Sequence, residues 1–147
     1  MAAVTLPITA AGALVDALVD ISPPRQRALA VAGKPIPAPV AVRALVDIGA
    51  SCTFIDLWVV QALSLTPTGT SSILTAASGT TAHPCHRYDI SLGVVMANQQ
   101  THSLPSVISA IDAGLAAHGF QLILGRDVLA HGRLFYDGKG QIFTLSF

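Results

Sequence analysis

Short runs of apolar residues, separated by turn-forming residues, recur along the whole chain. Such runs of about four to eight residues, bounded by Gly, Pro and Ser, are typical of β-strands. They predict two strands or a hairpin over 3–21, and further strands over 40–47, 72–75, 86–95, 104–110, 122–124, 133–136 and 141–146. The Asp137-Gly138 step between the last two runs is a strong local signal for a hairpin turn.

Helix signals are fewer and shorter than the strand signals. Ser22 followed by two prolines, with Gly33 at the far end, predicts a short helix over 25–32. Asp56 stands where an N-cap residue would, ahead of a helix over 57–63. Weaker helical signals cover 112–118 and 127–131. The chain is therefore predicted to be mostly β, with two or three short helices.

Composition limits what this fold can do. The 147 residues fit one domain, and charged residues make up 11% of them, against a typical ~25%. Lys and Arg total eight, Asp totals eight and Glu is absent, so the formal net charge is zero. This balance argues against a nucleic-acid partner. A surface so poor in charge indicates that a partner covers part of it.

The sequence carries no signal for secretion or a membrane. The apolar N-terminal run lacks the basic segment of a signal peptide, and Asp16 and Asp20 interrupt it. No stretch reaches about 18 uninterrupted apolar residues. Cys52 and Cys85 are too few for a disulfide framework. We therefore expect a cytoplasmic protein with no membrane partner.

The stretch richest in chemistry is 44–51, where Asp47 directly follows an apolar strand and directly precedes a turn containing Gly49. This arrangement presents a carboxylate from a rigid strand end, close to the backbone amides of the turn. Taken alone, such an aspartate most often caps local amides and has no catalytic role. Its significance depends on what else the chain contains.

A second motif follows at 122–129, where an apolar strand precedes Gly125, Arg126 and Asp127. The order of the two motifs, with a hairpin between them, resembles the retropepsin-like aspartic proteases over residues 40–147. The resemblance implies a closed β-barrel-like fold in which the second motif is structural. Residues 1–39 lie outside the resemblance, and we expect them to form an N-terminal extension of strands and a short helix packed on the domain.

The resemblance also implies a function. Such proteases cleave peptide bonds with two facing aspartates and a water molecule, and they need no cofactor or metal. This chain has one Asp-x-Gly-Ala, so the resemblance implies a homodimer in which each copy contributes Asp47. An extended peptide substrate would lie against Gly49 and Ala50, and a flap hairpin would close over it. The flap residues implied to contact substrate are Ala77, Ser78 and Gly79.

The sequence departs from the family pattern at two positions. Ile48 stands where the family usually has Thr or Ser, whose hydroxyl braces the aspartate pair across the two-fold axis. Isoleucine forms no side-chain hydrogen bond, so we expect lower activity or a looser dimer. The alternative is a binding or dimerisation module that has lost catalysis. Ser51 stands where retroviral members often have an acid, which leaves the partner of Arg126 undefined.

Other candidate features have less support. His83, Cys85 and His86 offer metal-ligating atoms within four residues. Structural zinc normally needs four ligands from two separated clusters, so a metal-binding β-domain is the third hypothesis and a solvated strand entry the simpler one. Cys52 is either a reactive thiol or, more simply, a small buried residue. Trp58, among apolar neighbours, is predicted to lie in the core.

Overall fold

Strands account for most of the regular structure. In the computed structural model, which describes residues 1–75 and 79–147, the strands are β1 (Ala3–Pro7), β2 (Leu14–Ile21), β3 (Val40–Val46), β4 (Phe54–Asp56), β5 (Gly69–Ile73), β6 (His83–Val95), β7 (Thr101–Ser103), β8 (Ile108–Ala113), β9 (Leu122–Leu124), β10 (Arg133–Asp137) and β11 (Ile142–Ser146). The helices are α1 (Pro23–Val31), α2 (Leu57–Ala62) and α3 (Arg126–Leu129), with a 3₁₀ turn over Ala116–His118. The prediction of a mostly β chain with short helices is confirmed.

The larger sheet closes on itself. Strands β2, β3, β9, β4, β8 and β6 are hydrogen-bonded in that order, and β6 pairs back with β2, so six strands of the described chain form a closed barrel. Closure leaves no free edge within the ring. The predicted barrel-like fold is confirmed. Fully buried side chains from these strands fill the core, among them Val19, Ile55, Ile90, Ala110 and Leu122.

The first 39 residues contribute strands to both sheets. Strand β1 pairs antiparallel with β11, from Ala3 opposite Ser146 to Pro7 opposite Ile142, and β10 completes this smaller sheet. Strand β2 pairs with β3 on one side and β6 on the other. The two strands predicted over 3–21 therefore form. The alternative of a hairpin between them is wrong, because each pairs with distant parts of the chain.

Strand β9 lies between β3 and β4, parallel to the first and antiparallel to the second. Because β3 and β9 are parallel, with Val46 opposite Leu124, both strands end at the same edge of the barrel. The segments that follow them, 47–53 and 125–129, therefore leave the barrel side by side. This places the two sequence motifs together.

Two local expectations are corrected. Trp58 is 52% exposed and not a core residue. Helix α2 is so short that it turns only Val59 and Val60 into the core, and Trp58 faces outward. The strand predicted over 104–110 begins instead at Ile108 and continues to Ala113. Within the described residues, no helix combines the length and the hydropathy needed to cross a membrane.

Candidate active site

Asp47 is held at the end of β3 by the backbone on both of its sides. Its N–H donates to the carbonyl of Leu124 over 3.1 Å, which extends the β3–β9 pairing by one residue. Its Oδ1 accepts from the N–H of Gly49 at 2.8 Å. A β-carbon on residue 49 would come to 3.0 Å from that same Oδ1, so the turn suits glycine. The carboxylate is thus half-buried and oriented by the turn that follows it.

Hydrogen bonds from the second motif hold the segment that contains this turn. Asp127 accepts two hydrogen bonds from Thr53, one from its N–H at 3.0 Å and one from its hydroxyl at 2.9 Å. It also accepts from the N–H of Val128 at 2.9 Å. Thr53 is fully buried and Asp127 is partly buried, so these bonds are shielded in part from water. The Asp127 carboxylate therefore ties the segment after β9 to the segment after β3.

Arg126 finds its partner in the backbone. Its guanidinium donates to the carbonyl of Ile48 over 3.0 Å, and its N–H donates to the carbonyl of Ala50 over 2.9 Å. Ser51, at the position where an acid was considered, is exposed. The partner that the sequence left undefined is thus the turn beside Asp47.

A cleft of about 820 Å³ opens beside the Asp47 turn. It is lined by Asp47, Gly49, Ala50, Ser51, Cys52, Phe54, Ser71, Ser72, Ile73, Leu74, Thr75, Arg87, Ser109 and Ile111. The cleft therefore brings together the predicted residues Asp47, Gly49 and Ala50 with the end of β5. Gly79 is exposed with φ of 60° and is not among the described residues of this lining. The other predicted flap residues, Ala77 and Ser78, lie outside the described residues.

Ile48 faces a different surface. Its side chain is 67% exposed and lines an apolar groove of about 430 Å³ with Leu45, Leu134 and Tyr136. Asp47 lines this groove as well as the cleft. The carboxylate therefore stands at the boundary between the two concave surfaces.

The lining residues missed in the sequence include three on β6 and β8: Arg87, Ser109 and Ile111. Arg87 lies opposite Ile111 in the β6–β8 pair, and residues two apart on a strand share a face, so Ser109 joins them. Tyr88 and Ile90, which alternate with Arg87, are buried. That alternation was a signal that Arg87 faces outward, but the sequence does not reveal which strands lie beside β6.

Two side chains near the motif have shifted pKa values. Burial is the largest influence on Cys52 and raises the pKa of its thiol, which favours the interpretation as a small, partly buried residue over that of a reactive thiol. For Asp56, burial opposes ionisation, but hydrogen bonds from the N–H groups of Trp58, Leu115 and Ala116 outweigh it and lower the pKa. Asp56 caps α2 as predicted. Its bonds to 115 and 116 were not foreseen.

The residues of the metal hypothesis do not converge. Among the described residues, no three His, Cys, Asp or Glu side chains gather closely enough to hold a metal ion. His86 instead has its Nδ1 3.5 Å from a carboxylate oxygen of Asp112. In the described chain, His83, Cys85 and His86 therefore do not form the cluster that this hypothesis needs.

Comparisons with protein families and with solved structures both give matches. A family model described as aspartyl protease matches residues 29–128, a span that contains Asp47 and also Gly125, Arg126 and Asp127 of the second motif. The fold is similar to the crystal structure of a retropepsin-like aspartic protease from Rickettsia conorii, with a TM-score of 0.54 and 15% sequence identity, over 99% of this chain and 90% of that one. No curated protein matches the chain.

Proposed function

We propose that this chain, which belongs to the aspartyl protease family, is an endopeptidase that hydrolyses peptide bonds with water activated by two copies of Asp47, one from each subunit of a homodimer. The observation that carries the proposal is the position of Asp47. Its carboxylate is oriented by the N–H of Gly49 and lines a cleft of about 820 Å³. The retropepsin-like fold supports the same chemistry.

The cleft suits an extended peptide. The end of β5 and the two residues after it, from Ser71 to Thr75, line the cleft. Among the described strands β5 pairs with β6 alone, so its outer edge is open to a further strand. A peptide added along such an edge gains main-chain hydrogen bonds whatever its sequence, and pockets for alternate side chains then select among peptides.

The second carboxylate must come from a second copy. Asp47 is the one acidic residue in the described lining of the cleft. Two carboxylates brought close together cannot both ionise easily, so the pair would hold one proton between them. The titration then belongs to the pair and not to either aspartate.

The bond changes follow from that shared proton. The ionised Asp47 takes a proton from water as the water oxygen attacks the carbonyl carbon of the scissile bond. The protonated Asp47 of the other subunit hydrogen-bonds the carbonyl oxygen and passes its proton to it. The tetrahedral intermediate then collapses: the carbon–nitrogen bond breaks, and the amine leaves with a proton from the carboxyl that accepted one. As the carbonyl re-forms, a hydroxyl of the intermediate returns a proton to the other carboxylate, so the pair again holds one proton. Peptide acid and peptide amine are the products, and no acyl-enzyme forms.

The groove beside Ile48 is where we expect the second copy to dock. Asp47 lines both this groove and the cleft, so a partner seated there would bring its own carboxylate to the same point. Ile48 is 67% exposed and Tyr136 is 59% exposed, so the surface offers apolar area to bury. Strand β10 is also the outer strand of the smaller sheet. A two-fold axis here would make the contact self-complementary.

Mixing of subunits tests the shared site. The protein is mixed with increasing amounts of the Asp47→Asn variant, allowed to exchange subunits, and assayed on a peptide. If both aspartates are needed, equal amounts leave about a quarter of the activity that the same total of wild type would give, because mixed dimers are inactive. Dilution with an inert, unrelated protein leaves half and serves as the control. A fall to one half with the variant as well would mean that each chain works alone.

One observation favours a second candidate function. Ile48 has no hydroxyl to brace a pair of aspartates, and the buried hydroxyl of Thr53 is already bonded to Asp127. A chain that keeps the fold and loses catalysis would bind extended peptides in the same cleft without cleaving them. The two candidates differ in whether any peptide is hydrolysed.

A further inference from the structure

Arg87 is the one basic residue in the described lining of the cleft. It lies on β6, directly opposite Ile111 on β8, and its Nε–H donates to the hydroxyl of Ser109 over 3.0 Å. In the described part of the chain, neither terminal nitrogen of the guanidinium has a hydrogen-bond partner. Arginine presents these donors in a planar fork that matches both oxygens of a carboxylate.

The neighbouring carboxylates do not neutralise it. Among the described residues, no carboxylate oxygen lies within 4.0 Å of the Arg87 guanidinium. Asp89, the next residue on the same face of β6, accepts from the hydroxyl of Thr68 at 3.2 Å. Asp112, beyond Ile111, accepts from the N–H of His86 at 3.1 Å and lies beside its ring. The cleft therefore carries a positive charge whose protein partner is a neutral hydroxyl.

The surroundings of Arg87 suit a ligand that carries both a carboxylate and methylene groups. Ile111 is buried, and Phe54, its neighbour across the β4–β8 pair, is half-buried in the same lining. Arg87 itself is exposed, so these apolar side chains border its charge without burying it, and a ligand can reach it from solvent. The bond to Ser109 also fixes the side chain before a ligand arrives, so less rotamer entropy is lost on binding.

We propose that Arg87 forms a subsite that selects an acidic side chain, Asp or Glu, in the peptide that occupies the cleft. This inference rests on the proposed function, because it takes the cleft as the peptide-binding site. The fork binds the carboxylate end-on, and the apolar walls contact the methylene groups of the ligand. Each subunit of a homodimer supplies one Arg87, so the preference falls on both sides of the scissile bond.

Binding to the Asp47→Asn variant tests the subsite without requiring cleavage. A set of fluorescent peptides carries Glu at one position in turn, each beside a twin with Gln there, and anisotropy gives the Kd of both. We expect Gln to weaken binding about tenfold at one position on each side of the peptide centre. Replacing Arg87 by Gln in the same background removes this ratio, whereas Arg87→Glu reverses it, so that the Gln twin binds more tightly than the Glu peptide.

Two further variants keep the test specific. Arg27→Gln makes the same change of charge on the exposed face of α1, away from the cleft, and should retain the tenfold ratio. Arg87→Lys keeps the charge without the planar fork, so the preference for Glu should weaken but keep its sign. If Arg87→Gln fails to fold, the ratio of Kd values in the Arg87→Lys and Arg87→Glu variants still tests the subsite.

The possible failures are distinguishable. Equal Kd values for Glu and Gln twins at every position, or a ratio that survives in Arg87→Gln, overturns the subsite and leaves the proposed chemistry of Asp47 untouched. A clear ratio in a protein whose wild type cleaves no peptide supports the subsite and overturns the endopeptidase. A protein that binds none of the peptides overturns both.

Discussion

Gly125 lies so close to the main-chain carbonyl group of Cys52 that a β-carbon at residue 125 would overlap its oxygen. The two residues belong to the segments that follow β9 and β3, so their contact sets how near these segments approach. The turn that orients Asp47 immediately precedes Cys52. A backbone contact of this kind cannot be relieved by rotating a side chain.

Gly125→Ala should therefore destabilise the fold strongly. Because the new methyl group meets backbone, we expect a loss of about 3 kcal/mol or more in the free energy of unfolding. Gly114→Ala is the control, since a β-carbon there meets nothing within 4 Å. Urea unfolding at one protein concentration measures both variants. Equal stability of the two would show that the segments adjust freely and that the close approach is not required.

The bonds between Thr53 and Asp127 should be energetically coupled. Thr53→Val keeps the shape of the buried side chain but removes the hydroxyl that donates to Asp127 over 2.9 Å. A double-mutant cycle with Asp127→Asn should give a coupling energy of about 1–2 kcal/mol. Additive losses in the urea unfolding of the four proteins would mean that Asp127 does not brace the segment through this hydroxyl.

Asp56 should make the free energy of unfolding depend on pH in the acidic range. Its pKa is lowered from the ordinary value of 3.8, so the folded state releases the proton more readily than the unfolded chain. The stabilisation from Asp56 is fully present at pH values above the pKa of this residue in the unfolded chain. It is lost as the pH falls from there through the lower pKa of Asp56 in the folded state. Wild type should exceed Asp56→Asn in the free energy of unfolding by about 2–3 kcal/mol at pH 7. The gap should narrow below about pH 4. A gap that is constant with pH would exclude the carboxylate as its source.

The Asn variant is an informative partner for this comparison. Two of the three N–H donors, those of Leu115 and Ala116, point at one oxygen, Oδ2, at 2.7 and 2.8 Å. Asparagine has one acceptor oxygen, so it can accept from these two donors or from the N–H of Trp58 on the other oxygen position, but not from both sides. The variant therefore loses at least one of the three bonds at every pH and does not titrate.

Ile48→Thr should raise the activity of the assembled enzyme. The hydroxyl supplies a hydrogen bond that isoleucine cannot make, and one such bond corresponds to about a fivefold gain in activity per dimer or in dimer affinity. Ile48→Val has the same branched shape as threonine and no hydroxyl, so it should gain nothing. Peptide cleavage and sedimentation of all three proteins give the two quantities. If the Thr and Val variants have equal activity and equal dimer affinity, the missing hydroxyl limits neither quantity in this protein.

The local parts of the structure were predictable from the sequence. The end of strand β3 directly before Asp47, the Gly49 turn and the Asp56 cap each depend on residues within a few positions of one another. The pairing of β1 with β11 joins opposite ends of the chain. The sequence of neither strand identifies its partner, because many apolar strands could pair and pack equally well at that place in the sheet. Sequence alternation alone therefore could not give this pairing.

The candidate site also has a local part that the sequence predicted and a part that depends on long-range strand pairing. Asp47, Gly49 and Ala50 belong to one motif and could be named in advance. Arg87 enters the cleft because β6 pairs with β8, and this pairing is a property of the closed barrel. Trp58 was misjudged because its neighbours are apolar, whereas its exposure depends on how little of α2 touches the core. Residues contributed by long-range pairing are those that the sequence did not reveal.

Cleavage of a diverse peptide pool, by wild type beside Asp47→Asn, tests the central claim most directly. Asparagine can still accept from the N–H of Gly49, so the variant should fold and differ in its chemistry alone. Both proteins are assayed at high concentration, which favours the dimer, from acid to neutral pH. The account predicts new peptide ends from the wild type and none from the variant. Cleavage by both, or silence from a wild type shown to be a folded dimer, would contradict it.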